Sequence, residues 1–460
     1  MLKHLQHALA HHRVPGASVA LFHEGKSISA AAGVINTGTG IELTPDTVMH
    51  IGSITKVINA TLILQLVDAG RIDLDERVLK YLPDLQLKDR QALEQLTVRM
   101  LLNHTSGIDG DGLPDHGHDE ETLEKGIGRM AQLGQIHRPG AEYSYCNAAT
   151  AIAGYLAQRQ TGEGWYRLIR ERIFAPLQMA HSVTLPEEAL LHRAAVGHFL
   201  ATPSDRRVQR VSRVFLPFGF APAGASLMLS AEDLVTFARM HLNDGMGPHG
   251  ARVLSKQSVL QMRRMTVDNG GKGYTFTDGL GLGWMICNDG LLHHSGGGPG
   301  IVSVLYVHPE KQFAAAVLTN GEFTLSWPFI SELIPCWLQE AGIAPPVGLT
   351  NVRIPAEPVS IDPLRFVGVY ENSSSSFCVT SVNGQLRLST RMKRAIYEYT
   401  SLEPTPAAGL VPLGGDKFLP ESTSSSSTQA FSVFAFRNPD ATGRMQHLGN
   451  GDRLHQRVDH

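Results

Sequence analysis

The sequence predicts an α+β protein built on an antiparallel sheet, followed by a small all-β domain. Three observations predict it. Strand-like and helix-like segments are grouped along the chain rather than alternating, which disfavours a parallel sheet wound by crossover helices. Short apolar segments come in pairs around tight turns, as hairpins do. Near residue 343 the character changes: residues 343–363 hold five prolines and little periodicity, and short alternating segments follow. The boundaries expected are a first, α+β domain over 1–343, a Pro-rich linker over 344–363 and a β domain over 364–460.

The N-terminus, MLKHLQHALAHHRVPG, reads as an amphipathic helix leading into a strand. Residues 17–23 and 27–32 flank Glu24-Gly25-Lys26 and form the first hairpin. Residues 54–69 carry Ile54, Val57, Ile58, Leu62, Leu64, Leu66 and Val67 and stop at Gly70. Apolar nearly all round, this helix belongs between layers, with Gly70 closing it. A helix over 91–103 is broken by Asn103-His104-Thr105-Ser106-Gly107, and a polar loop runs to about residue 120. Helices are expected at 148–160, 164–173 and 230–243, the last capped by Ser230 with Glu232 and Asp233 in its first turn. Strands at 301–307 and 312–319 surround Pro309-Glu310-Lys311, and an apolar helix follows at about 325–341. In the last hundred residues, 366–370, 377–382, 385–390 and 430–436 read as strands of a small barrel or sandwich. Asn383-Gly384 is a hairpin turn and Ser424 to Ser427 a flexible loop.

Composition excludes several classes. With 460 residues the chain exceeds one ordinary core. Its 40 basic and 43 acidic side chains leave a net charge of −3 and no basic stripe, so no nucleic-acid or anionic-membrane partner is expected. No apolar run approaches the ~20 residues that span a bilayer. His and Gln interrupt the N-terminus, which therefore does not read as a signal peptide, and a cytoplasmic protein is expected. Cys146, Cys287, Cys336 and Cys378 are far apart, which fits buried thiols better than disulfides. The chain has 21 histidines but no H-E-x-x-H; Asp115-His116-Gly117-His118-Asp119 reads as a solvated loop. No metal and no cofactor are expected.

Three motifs carry chemistry. Ser53-Ile54-Thr55-Lys56 puts a hydroxyl and an ammonium on one helix face, near the positive end of the helix dipole. Both effects favour an alkoxide; the competing reading is that Ser53 caps the helix. Tyr145-Cys146-Asn147, after a Pro139-Gly140 turn, offers a phenol that can relay a proton if cations such as Lys56 lower its pKa, and an amide suited to a substrate amide. Tyr143 competes with Tyr145 and is assigned to packing. His293-His294-Ser295-Gly296-Gly297-Gly298-Pro299-Gly300 leads into a strand, and its glycines permit close backbone approach. The N–H groups of Ser53 and Gly297 would then face one oxyanion.

Taken together and in this order, the motifs resemble the penicillin-binding-protein and β-lactamase-like serine hydrolases, specifically the class C branch. Leu101-Leu102-Asn103-His104-Thr105-Ser106-Gly107, Pro222-Ala223-Gly224-Ala225-Ser226 and Gly281-Leu282-Gly283-Trp284 support the resemblance, which covers about residues 5–342. It implies a class C β-lactamase/DD-peptidase-like domain, an antiparallel sheet flanked by helices plus an all-helical subdomain. The last hundred residues resemble the lipocalin-like barrels appended to some members, which narrow the cleft. The resemblance implies that Ser53 is acylated, that Lys56 and Tyr145 are the acid/base pair, and that Asn147, His294, Ser295 and Gly296 bind substrate. His294 stands where β-lactamases usually carry Lys. The permanent cation for a substrate carboxylate is then replaced by an imidazole, which points to the esterase, D-peptidase and transacylase relatives. Cys146 stands where Ser or Ala is usual. The activity expected is acyl-enzyme hydrolysis of an amide or ester, with a D-amino-acid-containing peptide as substrate. The alternatives are a transacylase like the thioesterase-type peptide cyclases, and an inactive binding homologue.

Overall fold

The computed structural model describes residues 1–458 apart from 113–116, 118–120, 202–206, 270–276, 347–351, 353, 396 and 422–432. The loop histidines 116 and 118, part of the Pro-rich linker and the Ser424–Ser427 tract lie outside the described residues. The chain opens with α1 (Leu2–His12), then the hairpin of β1 (Gly16–His23) and β2 (Lys26–Gly33). Six further strands complete an antiparallel sheet: β3 (Val267–Asp268), β4 (Gly279–Leu280), β5 (Met285–Ile286), β6 (Leu292–Gly298), β7 (Ile301–His308) and β8 (Phe313–Thr319). The order across the sheet is β2-β1-β8-β7-β6-β5-β4-β3. The N-terminal hairpin thus pairs with the last strand, Val19 opposite Val317.

Side chains on the central strands alternate between two cores, as the period of two requires. Val302, Val304 and Tyr306 of β7 pack with α1 and with α5 (Phe323–Glu340); Leu305 and Val307 face the other core. That second core holds α2 (Thr55–Asp68), α3 (Asn147–Thr161) and α4 (Ala231–Leu242). In α2, Val57, Ile58, Leu62, Ile63, Leu64 and Leu66 are all fully buried, so apolar residues on every face mark a helix between layers. Gly70 follows at φ +68°, and the Ser230 hydroxyl accepts the Asp233 N–H at 3.1 Å, both as expected from sequence.

One expectation changes. The helix over 91–103 is two short helices, Arg90–Gln95 and Val98–Leu102, separated by the extended pair Leu96-Thr97. The glycine-rich stretch at 293–298 lies within β6, and only Pro299-Gly300 turns. No helix among the described residues is long and apolar enough to cross a membrane.

The C-terminal region is a closed antiparallel barrel of eight strands. They are β9 (Gly368–Glu371), β10 (Ser375–Val382), β11 (Gln385–Met392), β12 (Ala408–Gly414), β13 (Lys417–Pro420), β14 (Phe434–Pro439), β15 (Met445–Asn450) and β16 (Arg453–Val458). Phe366, Tyr370, Phe377, Phe418, Phe434 and Phe436 fill it. A barrel this small is packed by its own side chains. Closure leaves no free edge, so the barrel offers its turns to the rest of the protein.

Candidate active site

The Ser53 turn is wedged against β6. Gly52 takes φ +52°, and a Cβ there would stand 2.6 Å from the amide nitrogen of Gly297. A Cβ on Gly296 would meet the Ile51 carbonyl oxygen at 1.9 Å. The Ser303 hydroxyl of β7 donates to the same carbonyl at 2.7 Å. Only glycine permits this approach, which brings the backbone of residues 52–53 beside Gly297. Residues 52–54 form a 3₁₀ turn, and α2 has Ile54 at its N-cap position with no side-chain cap. Ser53 therefore does not cap the helix. Its hydroxyl lies 3.0 Å from Nζ of Lys56, one turn on.

Lys56 is 2% exposed, and its Nζ also donates to the carbonyl of Ala223. Burial lowers its pKa to about 7, and the nearby Arg453 guanidinium pushes in the same direction. A sizeable fraction is therefore a neutral amine at neutral pH, with a lone pair within reach of the Ser53 proton.

Tyr145 sits between three groups. Its ring stacks on His104 at 4.3 Å, with Lys56 Nζ and the Arg453 guanidinium each 4.7 Å from its centroid. The phenol hydrogen-bonds Ser53, and this bond and Arg453 favour ionisation, but burial outweighs both and raises its pKa. The expectation that Lys56 would lower it is thus corrected: desolvation wins, and the cation that opposes it is Arg453. Tyr143 is 1% exposed and packs against Leu280 and Met285.

Asn147 is the first residue of α3. Its Nδ2 donates to Asp111 Oδ1 at 2.8 Å, and Asp111 in turn pairs with Arg453. Arg453 opens β16, so this chain of contacts runs from the barrel into the cleft. The carbonyl of Asp452 accepts the Tyr145 N–H at 2.8 Å, and the Ser144 hydroxyl accepts the Leu454 N–H at 3.2 Å.

His294, on β6, donates from Nδ1–H to the Ser295 carbonyl at 2.7 Å. Burial, followed by the charge of Lys56, lowers its pKa to about 3. Its buried Nε2 has no hydrogen-bond partner among the described residues. At neutral pH this imidazole is an uncharged acceptor, not a cation. Ser295 and Gly297 line the cleft, whereas Gly296, expected to touch substrate, backs onto Ile51.

The cleft has a volume of about 1050 Å³. Ser53, Tyr145, Asn147 and His294 of the sheet domain line it together with Tyr397, Asp452 and Arg453 of the C-terminal region. Sequence reasoning missed Asp111, Asp452 and Arg453 as parts of this site. Asp111 lies in a loop of no regular pattern, and the barrel pair becomes relevant only through the docking of a turn 300 residues away. His104 belongs to the Leu101–Gly107 segment, but stacking under Tyr145 leaves no signature in spacing.

A helix-flanked antiparallel sheet carrying Ser-x-x-Lys, Tyr-x-Asn and His-x-Gly defines the class of penicillin-binding-protein-type serine hydrolases and acyltransferases. The chain belongs to the Beta-lactamase family, whose profile matches residues 2–328. It is 38% identical to Penicillin-binding protein 4 of Amycolatopsis lactamdurans over 369 residues, covering 79% of this chain and 95% of the relative. A crystal structure of SurE superposes over 99% of this chain and 97% of its own, with TM-score 0.78 and 26% identity. D-amino acid amidase from Ochrobactrum anthropi SV3, solved with L-phenylalanine amide, matches 69% of this chain and 90% of its own at TM-score 0.58 and 27% identity.

Proposed function

We propose that the protein is a serine acyl-enzyme hydrolase that takes an acyl group from the amide or ester of a D-amino-acid-containing peptide onto Ser53. The observation that carries this reading is the 3.0 Å contact of Ser53 Oγ with a buried Lys56 whose pKa falls to about 7. Neutral Lys56 accepts the Ser53 proton as Oγ attacks the substrate carbonyl carbon. The N–H groups of Ser53 and Gly297 hold the oxyanion. Tyr145, kept protonated by burial, donates to the leaving group as the tetrahedral intermediate collapses, and Lys56 returns its proton to the phenolate. Asn147 holds the substrate amide, while Ser295 and the uncharged His294 line the acyl side. Likeness to a D-amino acid amidase supports the D-residue preference.

A second reading, acyl transfer to an amine or alcohol in place of water, is favoured by the barrel's share of the cleft. A volume of about 1050 Å³, lined in part by Tyr397 and Arg453, has room for an acceptor beside the acyl group. The test offers matched peptidyl thioesters ending in D- or L-residues and resolves linear, cyclic and amine-adduct products by mass. Preferred turnover of the D-series supports the proposal; linear acid assigns hydrolysis, and cyclic or amine product assigns transfer. Equal turnover of both series, or of neither, contradicts it.

A further inference from the structure

On the face of the sheet opposite α2, the first and last helices of the sheet domain meet through a cluster of imidazoles. Glu332 of α5 lies 2.7 Å by its Oε2 from His12 Nε2 and 3.7 Å from His11 Nδ1. Its other oxygen, Oε1, lies 3.4 Å from His4 Nε2. One ligand atom each from His11, His12 and Glu332 falls within 4.8 Å of the other two.

We propose that His11, His12 and Glu332 bind one divalent transition-metal ion of borderline softness, such as Zn²⁺, Ni²⁺ or Cu²⁺. Two imidazoles and one carboxylate favour such ions over Ca²⁺ or Mg²⁺, which prefer oxygen. Ligand bonds of about 2.0–2.2 Å in a tetrahedron put ligand atoms about 3.3–3.6 Å apart. The observed 2.7 and 3.7 Å from Glu332 bracket that spacing, and all three ligand atoms lie within 4.8 Å, so side-chain rotation of the exposed His11 is what draws the site together. The ion takes the place of the Nε2 proton that His12 donates to Glu332. His4 holds the second carboxylate oxygen, as outer partners of ligating carboxylates do. Three protein ligands leave a position for water.

The ligands stand on fixed elements. Leu5, Ala8 and Leu9 bury the inner face of α1, and Arg13 at φ 58° closes its last turn through a bond to the Leu9 carbonyl. On α5, Phe329, Ile330 and Leu333 are buried on either side of Glu332, and the His12 ring meets Phe329 edge-on. The ion would therefore clip the N-terminal helix to the last helix of the sheet domain, away from the hydrolytic chemistry.

The experiment titrates the metal-stripped full-length chain with ZnCl₂ by calorimetry, and with CoCl₂ while recording the visible spectrum. One equivalent should bind, with a cobalt ligand-field band and a raised melting temperature. His11→Asn, an exposed change, and Glu332→Gln should each weaken binding by about tenfold or more, His4→Asn by less. His249→Asn, at an exposed histidine elsewhere, should change nothing. Circular dichroism and ester turnover of the metal-free variants should match the parent, which separates lost ligands from lost folding. No saturable binding, or binding indifferent to both His11→Asn and Glu332→Gln, overturns the proposal.

Discussion

The carbonyl of Asp452 accepts the backbone N–H of Tyr145 at 2.8 Å, so a turn of the C-terminal barrel holds the Tyr-x-Asn motif in place. The next residue, Arg453, lies over the Tyr145 ring and pairs with Asp111, which anchors Asn147. The barrel is therefore part of the site's electrostatics and not only a cover. Arg453 is one cause of the low pKa of Lys56, and Asp111 pulls the other way. Replacing Arg453 by Gln removes the first and leaves the second unbalanced. Lys56 should then hold its proton to higher pH. The rising limb of acylation against pH should move alkaline, and the loss of rate should be larger at pH 6 than at pH 9. A loss equal at all pH values would assign Arg453 a purely structural part.

The parent enzyme carries its own pH signature. A lysine lowered to about 7 is the free base above that pH and ammonium below it. Acylation should rise through pH 7 and fall about tenfold per pH unit below it, since the rate follows the deprotonated fraction. Tyr145 as base would require a phenolate, and burial moves that ionisation upward, so the limb would lie far more alkaline. Single-turnover acylation by an aryl ester between pH 5 and 10 separates the two.

Lys56→Ala and Tyr145→Phe should each slow acylation by roughly 10²–10⁴, the usual worth of positioned proton transfer. Tyr143→Phe should act near the parent rate, because the Tyr143 ring is packed against Leu280 and Met285. The opposite pattern would exchange the roles of the two tyrosines.

The approach of β6 to the Ser53 turn is steric. A Cβ on residue 296 would stand 1.9 Å from the Ile51 carbonyl oxygen, so Gly296→Ala must push the turn away. Misplacement by about 1 Å can cost on the order of 10²-fold. Gly296→Ala should lose acylation by at least that factor and lower the melting temperature, whereas an exposed Gly384→Ala, far from the cleft, should spare acylation.

Much of this was legible in the sequence because it is local. Ser53 and Lys56 are one helical turn apart, and the apolar pattern of 54–69 reports burial directly. The hairpin at 17–32 and the strands at 301–319 follow from alternation and turn residues. Four of the barrel strands were missed, 408–414, 417–420, 445–450 and 453–458, because Pro, Gly and charged residues interrupt their alternation and ring closure supplies the pairing. The glycines of 296–298 carry no alternation of their own, and it is pairing with β7 that makes them strand. The high pKa of Tyr145 was not legible either, since desolvation depends on what covers a residue, and here part of the cover is Arg453.

The most direct measurement is the intact mass of the protein after exposure to a fluorophosphonate or an acyl thioester, with peptide mapping of the adduct. The parent should gain one adduct on Ser53, Ser53→Ala should gain none, and Lys56→Ala should gain it far more slowly. An adduct on another residue, or one that persists in Ser53→Ala, would contradict Ser53 as the nucleophile.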